Sequence, residues 1–139
     1  MRFKNWVVVG LVAALVLGMA GNTAAQYGAP PTPRIWFVNS TPSPLRDDQG
    51  QAIPGQVFVN VQWNNAPTGS TNEIWYEVLW NTDIGWKVYN RVKVGADGTI
   101  GTSGTSRNIL SRPNLPVRIN VALVTSGNVC LANVCSSEL

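Results

Sequence analysis

The sequence contains no histidine, only two cysteines, and few charged residues. Without histidine, neither a Ser-His-Asp nor a Cys-His catalytic arrangement can form, and the commonest general base is missing. A zinc site would need more ligands than two cysteines can supply. We therefore expect a protein that is not an enzyme and that holds neither a metal nor a cofactor.

The chain also has only a small excess of positive over negative charge. The chain has ten basic and seven acidic residues, for a formal net charge of +3. Arg2 and Lys4 belong to the N-terminal segment discussed next, so the remainder has eight basic against seven acidic residues, a net charge of 8 − 7 = +1. A nucleic-acid surface needs a clustered basic face, so no nucleic-acid partner is expected.

The acidic residues are too scattered to indicate catalysis. A glycosidase needs two carboxylates that face each other across a cleft. Glu73 and Glu77 lie along one predicted strand instead, and a calcium loop with spaced oxygen ligands is not evident. The other acidic residues fall in predicted loops and turns, where solvated side chains are usual: Asp47, Asp48, Asp83 and Asp97.

The first 25 residues have the pattern of a secretory signal peptide. Arg2 and Lys4 form a positive region, Trp6–Ala20 an apolar region, and Thr23–Ala25 a cleavage site of small residues; cleavage after Ala20 is the alternative. The apolar region is shorter than the ~20 residues that span a bilayer, which disfavours a membrane anchor. We expect a secreted chain, extracellular or periplasmic, with no membrane attachment after cleavage.

The rest of the chain divides into an arm and one domain. Residues 26–33, "QYGAPPTP", are rich in proline and should be extended. Residues 34–139 contain short alternating runs separated by Gly, Pro, Asn and Ser, without helical periodicity, which predicts a single antiparallel β-sandwich. The predicted strands are RIWFVN, QVFVNVQWN, EIWYEVLW, WKVYNRVKV, a short strand at Asn108–Leu110, VRINVALV and a last strand with both cysteines.

Several of these segments carry a family pattern. "PPTPRIWFV" is similar to a Pro-led first strand, "VNVQWNNAP" to a second strand whose Trp63 precedes Pro67, and "YEVLW" to a third strand. "LSRPNLPVRINVALV" is similar to the corner before a sixth strand, except that Val117 replaces the usual tyrosine. Together they resemble a fibronectin type III domain, an immunoglobulin-like sandwich of about seven strands, whose fold by itself implies no particular function.

The alternation also predicts the core. Successive side chains of a strand point to opposite faces, so alternate residues of the second, third and sixth predicted strands should meet between the sheets. The predicted core residues are Val61, Trp63, Tyr76, Val78, Trp80, Ile119 and Val121. In the fourth strand Trp86, Val88, Val92 and Val94 should share the inward side, and Lys87, Tyr89, Arg91 and Lys93 the outward side.

The outward side of the third and fourth strands is a candidate binding surface. Trp75 and Leu79 should lie there with Tyr89 on the neighbouring strand, within a ring of charge, as in many recognition surfaces. We predict that these three residues bind a ligand, either an extracellular protein or a glycan. The alternative is that the loop 40–55 or a charged side chain covers Trp75.

The first strand is a candidate assembly element. Ile35, Trp36, Phe37 and Val38 make it apolar on both faces, and an uncovered strand of this kind can pair with another subunit. The chain would then be its own partner, as a filament subunit assembled by strand exchange. The alternative is a first strand packed within its own domain.

The two cysteines, Cys130 and Cys135, predict a disulfide because export leads to an oxidising environment. A separation of five residues on an unbroken strand would place them on opposite faces. An intrachain disulfide therefore requires the chain to turn at the intervening "LAN", and pairing between chains is the alternative.

Overall fold

A computed structural model of the chain describes residues 29–68 and 70–139. The predicted signal peptide, residues 1–25, and residues 26–28 of the predicted arm lie outside the described residues. All contacts reported below lie within Thr32–Leu139.

Seven strands form two antiparallel sheets. One sheet has the order β1-β2-β5 and the other β4-β3-β6-β7. The strands are β1 Arg34–Phe37, β2 Gln56–Asn64, β3 Asn72–Thr82, β4 Gly85–Val94, β5 Gly104–Ser111, β6 Val117–Thr125 and β7 Val129–Cys135. The prediction of an all-β sandwich is confirmed. Among residues 29–68 and 70–139, no helix has the length and apolar character needed to cross a membrane.

The core lies between the two sheets and follows the alternation of the sequence. In β2 every second residue is buried, and the same is true of β3 as far as Val78. Tyr76 and Ile119 are completely buried, and Trp80 packs against this core while remaining partly exposed. The predicted core is confirmed, and each large side chain buried in it contributes about 1.5–3 kcal/mol.

Trp63 is held at the edge of the core by two glycines. Its side chain is 7% exposed, and its Nε1 donates a hydrogen bond to the carbonyl oxygen of Gly101 at 3.1 Å. Gly104 lies directly against the indole ring, so that a Cβ atom there would come within 2.9 Å of it. Gly104 pairs with Trp63 and begins β5, so this strand starts four residues before the predicted Asn108, and the ring requires a residue without a side chain at its first position.

The corner before β6 is closed without a tyrosine. Val117 occupies the corresponding position and is completely buried. At this corner the Nη2 of Arg112 donates to the carbonyl oxygens of Leu115 at 3.0 Å and Leu139 at 3.4 Å. The backbone N–H of Arg112 also donates to the carbonyl of Gly55. The guanidinium thus ties the corner to the chain around it.

Two β-bulges interrupt the four-stranded sheet. Val78 pairs with Asn90 and Leu79 with Val88, so Tyr89 is an extra residue in β4. In β7 the extra residue is Leu131. Since side chains alternate with a period of two, one inserted residue exchanges the faces of all residues beyond it.

The extended course of β7 overturns the predicted intrachain disulfide. The chain does not turn at "LAN", and β7 continues through it. Cys130 and Cys135 pair with Val124 and Asn120 of β6, and both are exposed free thiols. Five residues of extended strand separate their Cα atoms by roughly 15 Å, whereas a disulfide needs about 4.4–6.8 Å. The prediction that Cys130 bonds to Cys135 of the same chain is wrong.

Candidate functional site

The candidate site is the outer face, which we define as the side of the four-stranded sheet that points away from the core. Its position follows from the β3 alternation, in which Ile74, Tyr76 and Val78 are buried and the residues between them are not. The side chains on this face include Trp75, Glu77, Leu79, Trp86, Arg91, Lys93, Arg118, Asn120 and Asn133.

A row of polar side chains crosses all four strands at the centre of the outer face. Asn133 on β7 donates to Oδ1 of Asn120 on β6 at 3.2 Å, and Asn120 donates to Oε1 of Glu77 on β3 at 3.2 Å. Arg91 on β4 donates to Oε2 of Glu77 through Nη2 at 2.8 Å and Nε at 3.3 Å. Both oxygens of the largely buried Glu77 carboxylate therefore have hydrogen-bond partners within the protein.

Trp75 lies on one side of this row and carries cations over its ring. The ammonium of Lys93 is 4.3 Å from the ring centroid, and the guanidinium carbon of Arg91 is 5.0 Å away. The indole Nε1 donates to Oε2 of Glu73 at 2.6 Å. Trp75 is half-buried by these contacts. The alternative in which a charged side chain covers the ring is what the structure shows, and the predicted outward position of Trp75 is correct.

Trp86 lies on the other side of the row, although the alternation of its strand predicted an inward position. It pairs with Asn81, and the guanidinium carbon of Arg118 lies 4.5 Å from its ring centroid. Leu79 lies between the two, in register with Arg118. Trp86 was predicted to face inward because it alternates with Val92 and Val94. The bulge at Tyr89 reverses that alternation, and nothing in the residue types of β4 signals it.

Tyr89 does not join Trp75 and Leu79. As the bulged residue it turns towards Trp80, with the ring centroids 5.8 Å apart and the rings nearly perpendicular. Its side chain is 45% exposed. The prediction that Tyr89 lies outward with the cations of β4 is therefore wrong, because the bulge separates it from them. The role of Trp75, Leu79 and Tyr89 in ligand binding stays a prediction.

The predicted assembly residues divide between core and surface. β1 pairs with β2 of its own domain, and Ile35 and Phe37 are buried in the core. Trp36 and Val38 are each 37% exposed. The strand is thus apolar on both faces but packed on one. This agrees with the alternative prediction, in which the first strand packs within its own domain. Self-association through this strand stays a prediction.

Two titratable side chains of the described residues have shifted pKa values, and none of the described groups form a metal-binding cluster. No group of three or more His, Cys, Asp or Glu residues is close enough to hold a metal ion in the described part of the chain. Hydrogen bonds from Thr99 lower the pKa of Asp97, as expected for a solvated turn. Burial raises the pKa of Tyr76, whose hydroxyl contacts Ser106 inside the sandwich.

A groove of about 310 Å³ lies at one end of the sandwich, away from the outer face. Its lining includes three prolines, Pro44, Pro54 and Pro113, and the charged Arg112, whose guanidinium already ties the corner. The groove therefore offers little chemistry compared with the outer face.

Comparison with known proteins adds no identity. No protein-family model, curated protein or solved structure matches this chain significantly.

Proposed function

We propose that this chain is an exported, non-enzymatic β-sandwich module that binds a protein at the cell exterior through its outer face. The observation that carries the proposal is a pair of cations, Lys93 and Arg118, each resting on a tryptophan ring on either side of the polar row. The signal-like N-terminus supports export. The lack of histidine supports a role that is not enzymatic.

The chemistry of the outer face favours a partner with acidic groups. Neither Lys93 nor Arg118 forms an ion pair within the described residues, whereas Arg91 is paired with Glu77. An unpaired cation held against an aromatic ring offers a charge whose side chain is already ordered, which reduces the entropic cost of binding. Tryptophan and arginine are also the residues that most often dominate protein interfaces.

A carbohydrate ligand is the alternative for the same surface, because exposed indole rings can stack on sugars. Here one face of the Trp75 ring and one face of the Trp86 ring are occupied by cations. A neutral sugar would have to displace them, so we place a protein partner first.

Charge reversal on the outer face tests the proposal. Polyglutamate serves as a defined acidic probe and cellulose as a neutral glycan, each measured by surface plasmon resonance at several salt concentrations. We expect Lys93→Glu and Arg118→Glu to weaken polyglutamate binding at least tenfold. The matched control is Lys87→Glu, which changes the same charge on β4 but pairs with Trp80, away from the outer face.

Equal losses in all three variants would show that only net charge matters and would contradict the proposal. Binding to cellulose that is lost in Trp75→Ala would establish the carbohydrate alternative in its place.

The finer fold assignment, a fibronectin type III-like sandwich, is part of this proposal. Its support is the position of β4, which pairs with β3. In constant-type immunoglobulin domains the fourth strand joins the sheet of the first, second and fifth strands instead. The Trp63 and Pro67 pattern of β2 agrees with the same assignment.

Filament assembly by exchange of β1 is the second candidate function. It is supported by the short β1, which pairs on one side only, and by the exposed Trp36 and Val38. Exchange would remove Ile35 and Phe37 from the core of the same chain. Removing each of these side chains from the core costs about 1.5–3 kcal/mol until it is buried in the core of the neighbouring subunit. This cost places filament assembly behind the binding module.

A further inference from the structure

We propose that two copies of this chain pair edge to edge through β7, and that two interchain disulfides join Cys130 of each copy to Cys135 of the other. The proposal goes beyond ligand binding. It depends on the proposed function in one respect only, because the oxidising environment that the disulfides need follows from the proposed export.

Of the four strands at the sheet edges, β7 alone has no protection in its sequence. An open edge is usually blocked by charge or proline. β1 contains Arg34, β5 contains Arg107, and β4 contains two lysines and an arginine. β7, with the sequence VCLANVC, contains neither a charged residue nor a proline. Among the described strands only β6 pairs with β7, so its other edge is the one best suited to accept another strand.

The bulge gives β7 the symmetry that such a pairing needs. Leu131 and Ala132 are consecutive, yet both pack against the core, so together they occupy one position of the ladder. The segment from Cys130 to Cys135 thus has five ladder positions, and Asn133 is the middle one. Both cysteines lie on the outer side of the strand.

A twofold axis through Asn133 then brings the cysteines together. In an antiparallel pair about this axis, Asn133 faces Asn133 of the partner subunit, and Cys130 faces Cys135 of the partner subunit. Directly opposite Cα atoms in antiparallel strands are about 4.5–5.5 Å apart, which is within the range of a disulfide. On a regular strand the two cysteines would point to opposite faces, and neither pair could form.

Each disulfide requires an oxidant. Two thiols lose two protons and two electrons as the S–S bond forms, and a small disulfide such as oxidised glutathione accepts them and becomes two thiols. The two bonds of the dimer consume two such molecules.

The dimer would have a continuous sheet with β7 of each copy at its centre. The twofold axis is perpendicular to this sheet, so the two outer faces lie on the same side. A partner with repeated acidic sites could then engage both copies and gain avidity.

The test uses the purified full chain, reduced and then oxidised with glutathione buffer, and analysed by non-reducing electrophoresis and intact mass. We expect a covalent dimer that is lost on reduction. Cys130→Ser and Cys135→Ser alone should each give no covalent dimer, because each leaves every cysteine opposite a serine. Mixed before oxidation, the two variants should form a covalent heterodimer through one disulfide.

Three outcomes would overturn the proposal: a covalent dimer in either single variant alone, a monomer with an internal disulfide, or a wild-type chain that keeps free thiols. Both cysteines are exposed, so serine is tolerated at these positions, and circular dichroism of each variant checks its fold. None of these results depends on ligand binding, so failure here leaves the outer-face proposal separately testable.

Discussion

Arg118 on β6 reaches across the central strand β3 to Trp86 on β4, and its guanidinium carbon lies 4.5 Å from the centroid of the indole ring. Leu79 lies beneath this crossing, in register with Arg118. The Nε of Arg118 is buried and has no hydrogen-bond partner among the described residues. The ring therefore provides the principal contact that orders this cation.

Trp63, in the core, and Trp75, on the outer face, should differ sharply in their effect on stability. Trp63→Ala removes a core side chain and should lower the free energy of unfolding by about 3–5 kcal/mol. Trp75→Ala removes a half-buried ring and its cation contacts, so we expect a loss of about 1 kcal/mol. Urea unfolding followed by circular dichroism measures both. Equal losses would mean that Trp75 belongs to the core and would remove it from the binding surface.

The close approach of Gly104 to Trp63 predicts a strong effect of one methyl group. Gly104→Ala places a Cβ atom 2.9 Å from the ring, and the required shift should cost about 1–3 kcal/mol. The control is Gly101→Ala, at a residue that accepts the Trp63 hydrogen bond through its backbone. Its added Cβ meets nothing closer than 3.8 Å, so thermal unfolding should show little change. A Gly104→Ala variant as stable as the parent would show that the ring moves freely.

Tyr76 should make the fold sensitive to alkaline pH. Burial raises the pKa of its hydroxyl above the usual value near 10 that the unfolded chain retains. Its contribution to stability is complete below pH 10 and is lost as the pH rises from there through the folded-state pKa, because the unfolded chain loses its proton first.

Comparison of Tyr76→Phe with the parent isolates this effect. At neutral pH the variant should lose about 0.5–1.5 kcal/mol, because the hydrogen bond with Ser106 is gone. Above pH 10 its stability should decline less steeply than that of the parent, as measured by urea unfolding at each pH. Tyr89→Phe, at an exposed ring, is the control that should keep the parental decline. Parallel curves for Tyr76→Phe and the parent would contradict the assignment.

The sequence predicted the regular strands well and the irregular ones badly. β2 was predicted with its observed bounds, and the buried residues of β3 and β6 followed from their alternation. Trp75 was placed correctly because β3 keeps its alternation beyond it. Trp86 and Tyr89 were misplaced because of the bulge in β4, and the intrachain disulfide was wrong because β7 stays extended where the bond required a turn.

A bulge could not be recognised in these strands because the inserted residue does not differ in type from its neighbours. Tyr89 and Leu131 are both common in regular strands. Whether one of them is inserted depends on which register lets the two neighbouring strands both pair and fill the core. The alternative registers differ in energy only when the sheet has formed, so the sequence of one strand does not reveal the insertion. The errors therefore fall on the edge strands, which are held on one side only.

The class of the fold, the two-sided alternation of its central strands and the lack of histidine could be read directly from the chain, because these depend only on the order and type of residues. Which side chains meet on the outer face, and which side the cysteines share, is fixed only when the strands assemble. These depend on strand order and on two inserted residues, through which Arg118 reaches Trp86 across β3 and Cys130 shares the outer side of β7 with Cys135. Contacts between distant strands are set by register, and register is a property of the assembled sheet.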